Sequence, residues 1–367
     1  MTSESCDVAV IGGGIIGTAA AAYLAEAGVR VRLFEREQIA NGASGRNSGT
    51  IQHPFEPDMA RLHHATLPLY RELAQIVTDF GLALEPAGLL LLSPDERAVS
   101  EAGRSIAARE PDLEPQLITP RELGQLEPSL AADLFACRIA TGYPVAPAAA
   151  TNAFAARART AGASLDVGQA AEPIVSGGRV TGVRLTSGTT VACDKVLVAA
   201  GPWTAQLIPG WSSRPPIRPL WGVVVSVTLP HAPHAVLEEL GIDRPGEHAE
   251  ELFSLVTARG DTSVGSTFLA VQPDPAHRVQ GILDRAMSFV PALGDVKPVG
   301  VRACARPASV DGRPFIGTIT GIAGLFVCAG HGAWGISTGP ASARRVVDEM
   351  LGRGGSDEAF SPARTLG

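Results

Sequence analysis

The chain has 367 residues, 45% hydrophobic and 18% charged, which provides for a large core and excludes a disordered chain; the length suits two domains, interleaved along the sequence. Formal net charge is −7 with no run of basic residues, which argues against a nucleic-acid partner. Among 30 basic residues only Lys195 and Lys297 are lysines.

Cys6, Cys137, Cys193, Cys304 and Cys328 form an odd set with neither a Cys-x-x-Cys nor a zinc spacing, as suits a reduced, cytoplasmic compartment. The uncharged run from Val8 to Ala25 follows Glu4 and Asp7 and is broken by Gly12, Gly13, Gly14 and Gly17. It therefore reads as strand, turn and buried helix, with no signal peptide and no transmembrane segment.

In chain order, Val8–Ile11 predicts a central parallel strand, Thr18–Ala27 an alanine-rich helix closed by Gly28, and Val29–Phe34 a second strand ending at Glu35. Between the first two lies Gly12-x-Gly14-x-x-Gly17. Gly12 permits the turn, Gly14 lets the backbone approach a pyrophosphate, and Gly17 lets the helix lie close to the sheet. The helix N-terminus then offers free N–H groups to phosphate, and Glu35 accepts from ribose hydroxyls. This is a dinucleotide site, and these residues alone do not separate NAD from FAD.

Residues 40–54 form a small polar loop. Two helical histidines, His63 and His64, have no further ligands at metal spacing, so no metal site is expected. Residues 81–144 hold short apolar runs such as Gly88–Leu92. Turns at Gly177-Gly178 and Ser187-Gly188 punctuate a hairpin region that leads into a strand ending Ala199-Ala200-Gly201-Pro202-Trp203. Leu220–Leu229, Leu252–Ala258 and Ser263–Ala270 read as strands. From Arg302 to Arg306, period two puts Arg302, Cys304 and Arg306 on one face. A helix follows over Ser337–Leu351, and the tail after Gly352 looks loosely ordered. Tyr143 and Trp221 read as packing residues.

Taken together, the N-terminal fingerprint, Ala199–Trp203, the stretch Arg306–Gly317 and Gly330–Ile336 resemble the D-amino-acid oxidase-like family of FAD-dependent oxidoreductases, which includes glycine oxidase, sarcosine oxidase and D-amino-acid dehydrogenase. The resemblance covers most of the chain. It implies an α/β chain, α+β overall: a Rossmann-like FAD-binding domain (1–80, 145–213 and 302–367) and a discontinuous antiparallel-sheet substrate domain (81–144 and 214–301). FAD is expected to touch Gly12, Gly14, Ile15, Ile16, Gly17, Glu35 and Arg36 at one end. Ser44, Arg46, Asn47, Ser48, Gly49, Ala171, Ala200, Gly201 and Trp203 come next. Cys304, Gly330, Gly332, Ala333, Trp334, Gly335 and Ile336 surround the ring, with a helix N-terminus facing its N1 edge.

The resemblance also implies oxidation of an amino acid or secondary amine, with electrons passing to O2 or another acceptor. Arg306 stands where relatives clamp the substrate carboxylate; its alternative is a salt bridge to Asp311. His331 is expected to fix the backbone beside the flavin or to transfer a proton. FAD is expected to be held non-covalently. Cys304 is the residue for a covalent link, since flanking arginines would favour its thiolate; His53 has a weaker claim of that kind. Ser263 falls where sarcosine oxidase relatives carry an oxygen-assisting lysine. Two rivals stand beside this reading. One is 2-hydroxy-acid oxidation with His53 or His331 as base; the other is a non-catalytic flavin-carrying subunit. No signal for oligomeric state is present.

Overall fold

The computed structural model describes residues 5–242, 250–355 and 357–365. A six-stranded sheet runs Phe315–Thr318, Leu325–Ala329, Lys195–Val198, Val8–Ile11, Val31–Glu35 and Ser164–Val167 across its width. All its pairings are parallel except that of the edge strand Phe315–Thr318 with Leu325–Ala329. Val8–Ile11 is buried throughout, as a central parallel strand covered on both faces must be.

Ile15–Glu26 begins directly after the glycine turn and packs against the helices Ala149–Thr160 and Gly335–Met350. Its buried surface goes all round, because Ala19, Ala20, Ala21 and Ala22 take so little room that neighbouring helices approach closely. A separate three-stranded antiparallel sheet (Ala171–Ser176, Arg179–Leu185, Thr190–Ala192) contains the two turns read from the sequence.

The second large sheet has eight strands, in the order Gly300–Ser309, Ile217–Val227, Asp261–Thr267, Glu251–Ala258, Val236–Glu239, Leu89–Ser93, Phe135–Ile139 and Gln116–Ile118. One pairing is parallel, between Val236–Glu239 and Leu89–Ser93, so the expected antiparallel sheet is interrupted where its two chain segments meet. Gly300–Ser309 lies along the whole of Ile217–Val227 in this sheet. The boundary expected at residue 302 is thereby corrected: the strand with Arg302 and Arg306 belongs to the eight-stranded sheet, and the chain returns to the other sheet only at Phe315.

The tail also differs from its reading. Phe360 is fully buried, and Arg364 lies over the Phe315 ring at 3.7 Å and pairs with Asp311 through Nε at 2.7 Å and Nη2 at 2.9 Å. Among the described residues no helix is long and apolar enough to cross a membrane.

Candidate functional site

The two large sheets flank a cavity of about 1050 Å³, at the upper end of typical ligand sites, which runs from the glycine turn to Arg306. At the nucleotide end Gly12 has φ +115°, and a Cβ there would lie 2.4 Å from the Ala199 carbonyl oxygen. A Cβ on Gly17 would fall 1.9 Å from Gly12 O, so Gly17 serves helix–strand contact and does not line the cavity. Gly14 faces open space apart from the Ser44 hydroxyl, and Ser44 Oγ accepts from Ile15 N–H at 3.0 Å, satisfying one of the helix's first donors. Glu35 accepts from Gly13 N–H at 2.7 Å and Glu37 N–H at 2.8 Å, which holds its carboxylate at the strand end. The Arg36 guanidinium stacks 3.8 Å from the Trp203 ring centroid.

Most expected cofactor contacts converge here: Ile15, Ile16, Arg46, Asn47, Ser48, Ala171, Ala200, Gly201 and the run Gly332–Ile336 line the cavity with the residues above. Two do not. Gly49 (φ +93°) donates its N–H to Asn47 Oδ1 and shapes the loop, while Gly330 (φ +97°) packs toward Ser309 and Ile217. The Asn47 side chain is also spent on the loop, donating to the Ala43, Ser44 and Pro147 carbonyls.

At the far end three side chains of one strand face the cavity. Arg306 is half-buried, with Nη1 donating to Thr267 O at 2.8 Å and Nη2 to Ser266 Oγ at 2.6 Å; its Cζ is 4.5 Å from the Phe268 ring centroid. Gly222, paired with Cys304 on the neighbouring strand, makes the room: a Cβ there would sit 2.5 Å from Arg306 Nη2. Among the described residues no carboxylate pairs with Arg306, since Asp311 is taken by Arg364 and Arg313. Burial pulls its pKa down, yet a guanidinium stays charged. Arg302 donates to Ser226 Oγ, Ser263 Oγ and Asn47 O, again without an acid partner.

Cys304 lies between them, and its expected activation is corrected. Burial raises the thiol pKa and outweighs the lowering by Arg306, Arg302 and Arg46, so the thiolate is disfavoured.

His331 lines the cavity. Ser342 Oγ donates to Thr338 O, so His331 Nε2–H donates to Ser342 Oγ at 2.9 Å and Nδ1 presents a lone pair. Burial depresses its pKa to about 3, which makes it a neutral, fixed group. His53 does not line the cavity, which corrects its expected catalytic place. Its ring turns instead toward helix Pro57–Ile76, with Nε2 3.3 Å from His64 Nε2 and 3.7 Å from Glu110 Oε2. The fold therefore brings to His64 the companions that spacing did not reveal.

Several lining residues escape sequence reading. Gln52 donates to Glu238 Oε1 at 2.9 Å, and Ser337 Oγ accepts from Gln52 N–H at 3.0 Å. Trp221 lines the cavity, whereas Tyr143 is in the core as expected. The loop 40–54 carried the only signal for Gln52; Glu238 had none. Gln52 Oε1, Arg302 Nε and His331 Nδ1 are buried, belong to residues that line this space and have no hydrogen-bond partner among the described residues. Such atoms are costly unless a ligand or water satisfies them. With a phosphate-facing helix start, an acid at the ribose position and a second helix N-terminus at Gly332–Ile336, the residues present fit FAD.

A largely parallel sheet whose glycine turn opens along one cavity toward half-buried arginines is the arrangement of a cofactor-dependent oxidoreductase. The chain belongs to the FAD dependent oxidoreductase family, matched over residues 7–349. It is similar to glycine oxidase of Pseudomonas aeruginosa, 29% identical over 94% of this chain and 95% of the relative, and to that of Geobacillus kaustophilus, 30% identical over 93% and 92%. The crystal structure of the Geobacillus enzyme superimposes with a TM-score of 0.83 at 28% identity, covering 100% of both chains. The protein is an FAD-dependent enzyme.

Proposed function

We propose that the enzyme oxidises a small amino acid or secondary amine, glycine- or sarcosine-like or a D-amino acid, at the bond between Cα and nitrogen. The observation that carries this reading is Arg306: a half-buried guanidinium lining the cavity, with no acid partner among the described residues, is what a substrate carboxylate complements. FAD, when bound along this cavity, would supply the two-electron acceptor for the Cα hydride.

The chain's own part is to position. Ser266 and Thr267 fix one edge of the Arg306 fork, leaving its other donors for the carboxylate. His331 stays neutral and places no positive charge beside the amine, which must itself be uncharged to react. The resulting imine leaves and hydrolyses in water. Hydroxy-acid oxidation is less well supported, because an alcohol needs a base with a pKa near the working pH. His331 is depressed to about 3, and His53 lies outside the cavity. A non-catalytic flavin carrier would not need the Arg306 clamp. Electrons then pass to O2 or another acceptor; the residue at the position of the oxygen-assisting lysine is Ser263, held by Arg302. The five cysteines are unpaired, which supports a reducing compartment such as the cytoplasm.

The test is anaerobic. The yellow enzyme is mixed with glycine, sarcosine, proline, D-amino acids or 2-hydroxy acids while flavin absorbance is followed, and air is then admitted to time reoxidation. Bleaching by an amine substrate supports the reading. Bleaching by hydroxy acids alone overturns it.

A further inference from the structure

Behind the cavity wall, three side chains from distant parts of the sequence converge. His53 follows the short strand Thr50–Ile51, His64 lies on helix Pro57–Ile76, and Glu110 ends helix Glu96–Arg109. The two Nε2 atoms are 3.3 Å apart, and Glu110 Oε2 is 3.7 Å from His53 Nε2 and 3.9 Å from His64 Nε2. Ligands about 2.0–2.1 Å from a tetrahedral zinc ion lie roughly 3.3–3.4 Å from one another. The histidine pair already has that separation, and the carboxylate needs to move by only a few tenths of an ångström.

We propose that His53, His64 and Glu110 bind a divalent ion of the zinc class, with water in the fourth position. Two imidazoles and one carboxylate are a borderline donor set that suits zinc over calcium or magnesium, which prefer oxygen. The placement provides both anchoring and access. His53 is 1% exposed and its backbone N–H donates to Thr141 Oγ1 at 2.9 Å, so one ligand stands on a fixed backbone. His64 is 55% exposed, so the ion has a path from solvent.

The site adjoins the cavity through the preceding residues of both histidines. Gln52 N–H donates to Ser337 Oγ, and His63 Nδ1–H donates to Ser337 O at 3.1 Å. An ion tying His53 to His64 therefore locks the pair that holds Ser337 at the cofactor-side helix N-terminus. This inference does not rest on the substrate assignment.

The test uses FAD-loaded enzyme, chelator-treated and dialysed, titrated with Zn2+ by calorimetry, with bound metal counted by mass spectrometry. The expected result is one saturable equivalent, weakened at least about tenfold in both His64→Ala and Glu110→Gln, since even outer-shell partners of a metal carry about that much. Zinc should also raise the melting temperature of the parent and not of His64→Ala. His277→Ala, which removes an exposed histidine beside Asp274, should bind zinc like the parent. If Glu110→Gln does not fold, the exposed His64 variant decides alone. Absence of a stoichiometric equivalent, or binding indifferent to His64→Ala, overturns the proposal and leaves the imidazoles a hydrogen-bonded pair.

Discussion

Replacing Arg306 by alanine tests the carboxylate clamp directly. Its Nη1 and Nη2 each give one hydrogen bond to the strand Asp261–Thr267, so the guanidinium edge turned to the cavity can meet a carboxylate with two more. A hydrogen bond to a charged group contributes about 1.5–3 kcal/mol, so two are worth about 3–6 kcal/mol, or roughly 10² to 10⁴ in binding. Part of this is offset by desolvating the substrate, which favours the lower end. Arg306→Lys keeps the charge but cannot fork, and should fall between parent and alanine variant. Rapid-mixing measurement of anaerobic flavin bleaching against substrate concentration gives the substrate Kd and the limiting reduction rate separately. Flavin content should be unchanged, because the nucleotide half of the cavity is built from other strands. A substrate Kd within about threefold of the parent in Arg306→Ala would refute the clamp and leave Arg306 a packing element of the Gly222 notch.

Four further outcomes are expected. Gly17→Ala places a methyl 1.9 Å from Gly12 O, and the helix shift needed costs about 1–3 kcal/mol or more, read as lowered melting temperature and flavin loss during gel filtration. Glu35→Ala removes a ribose acceptor and frees the Gly13 and Glu37 N–H groups; FAD should bind about 10- to 150-fold more weakly by fluorescence titration, equivalent to about 1.5–3 kcal/mol. Acid precipitation of the parent should leave all flavin in the supernatant, and Cys304→Ser should turn over within about threefold of it; a yellow pellet lost in that variant contradicts the raised thiol pKa. His331 is held neutral in the fold, so below its ordinary pKa the unfolded chain binds the proton the folded one refuses. Stability therefore falls as pH drops from about 6.5 toward about 3, by roughly 2–3 kcal/mol at pH 4.5 from this residue. Denaturant unfolding should show that part of the acid slope missing in His331→Asn; equal slopes would count against it.

What the sequence disclosed and what it withheld divide along contact range. The places of Gly12, Gly14, Gly17 and Glu35 are legible because the turn, the helix packing and the strand end fall within one strand–turn–helix–strand unit. Arg302, Cys304 and Arg306 are legible because period two puts them on one face of one strand. Cys304 shows where this stops: the flanking arginines that lower its pKa are neighbours in sequence, but the burial that wins comes from strands more than 40 residues away, such as Ile217–Val227. His53 fails for a related reason. Its loop neighbours suggested the flavin, while its ring direction is set by His64 and by Glu110, which closes a helix of the other half. Gln52 meets Glu238 across 186 residues, and Phe360 and Arg364 fasten a tail whose local composition resembles a loose end. A side chain's chemistry can be named from the sequence, but its direction depends on pairings such as Leu89–Ser93 with Val236–Glu239, which no local pattern specifies. The substrate end of the cavity is assembled from such pairings across sheet strands, and so the cofactor of this enzyme is more legible than the molecule it oxidises.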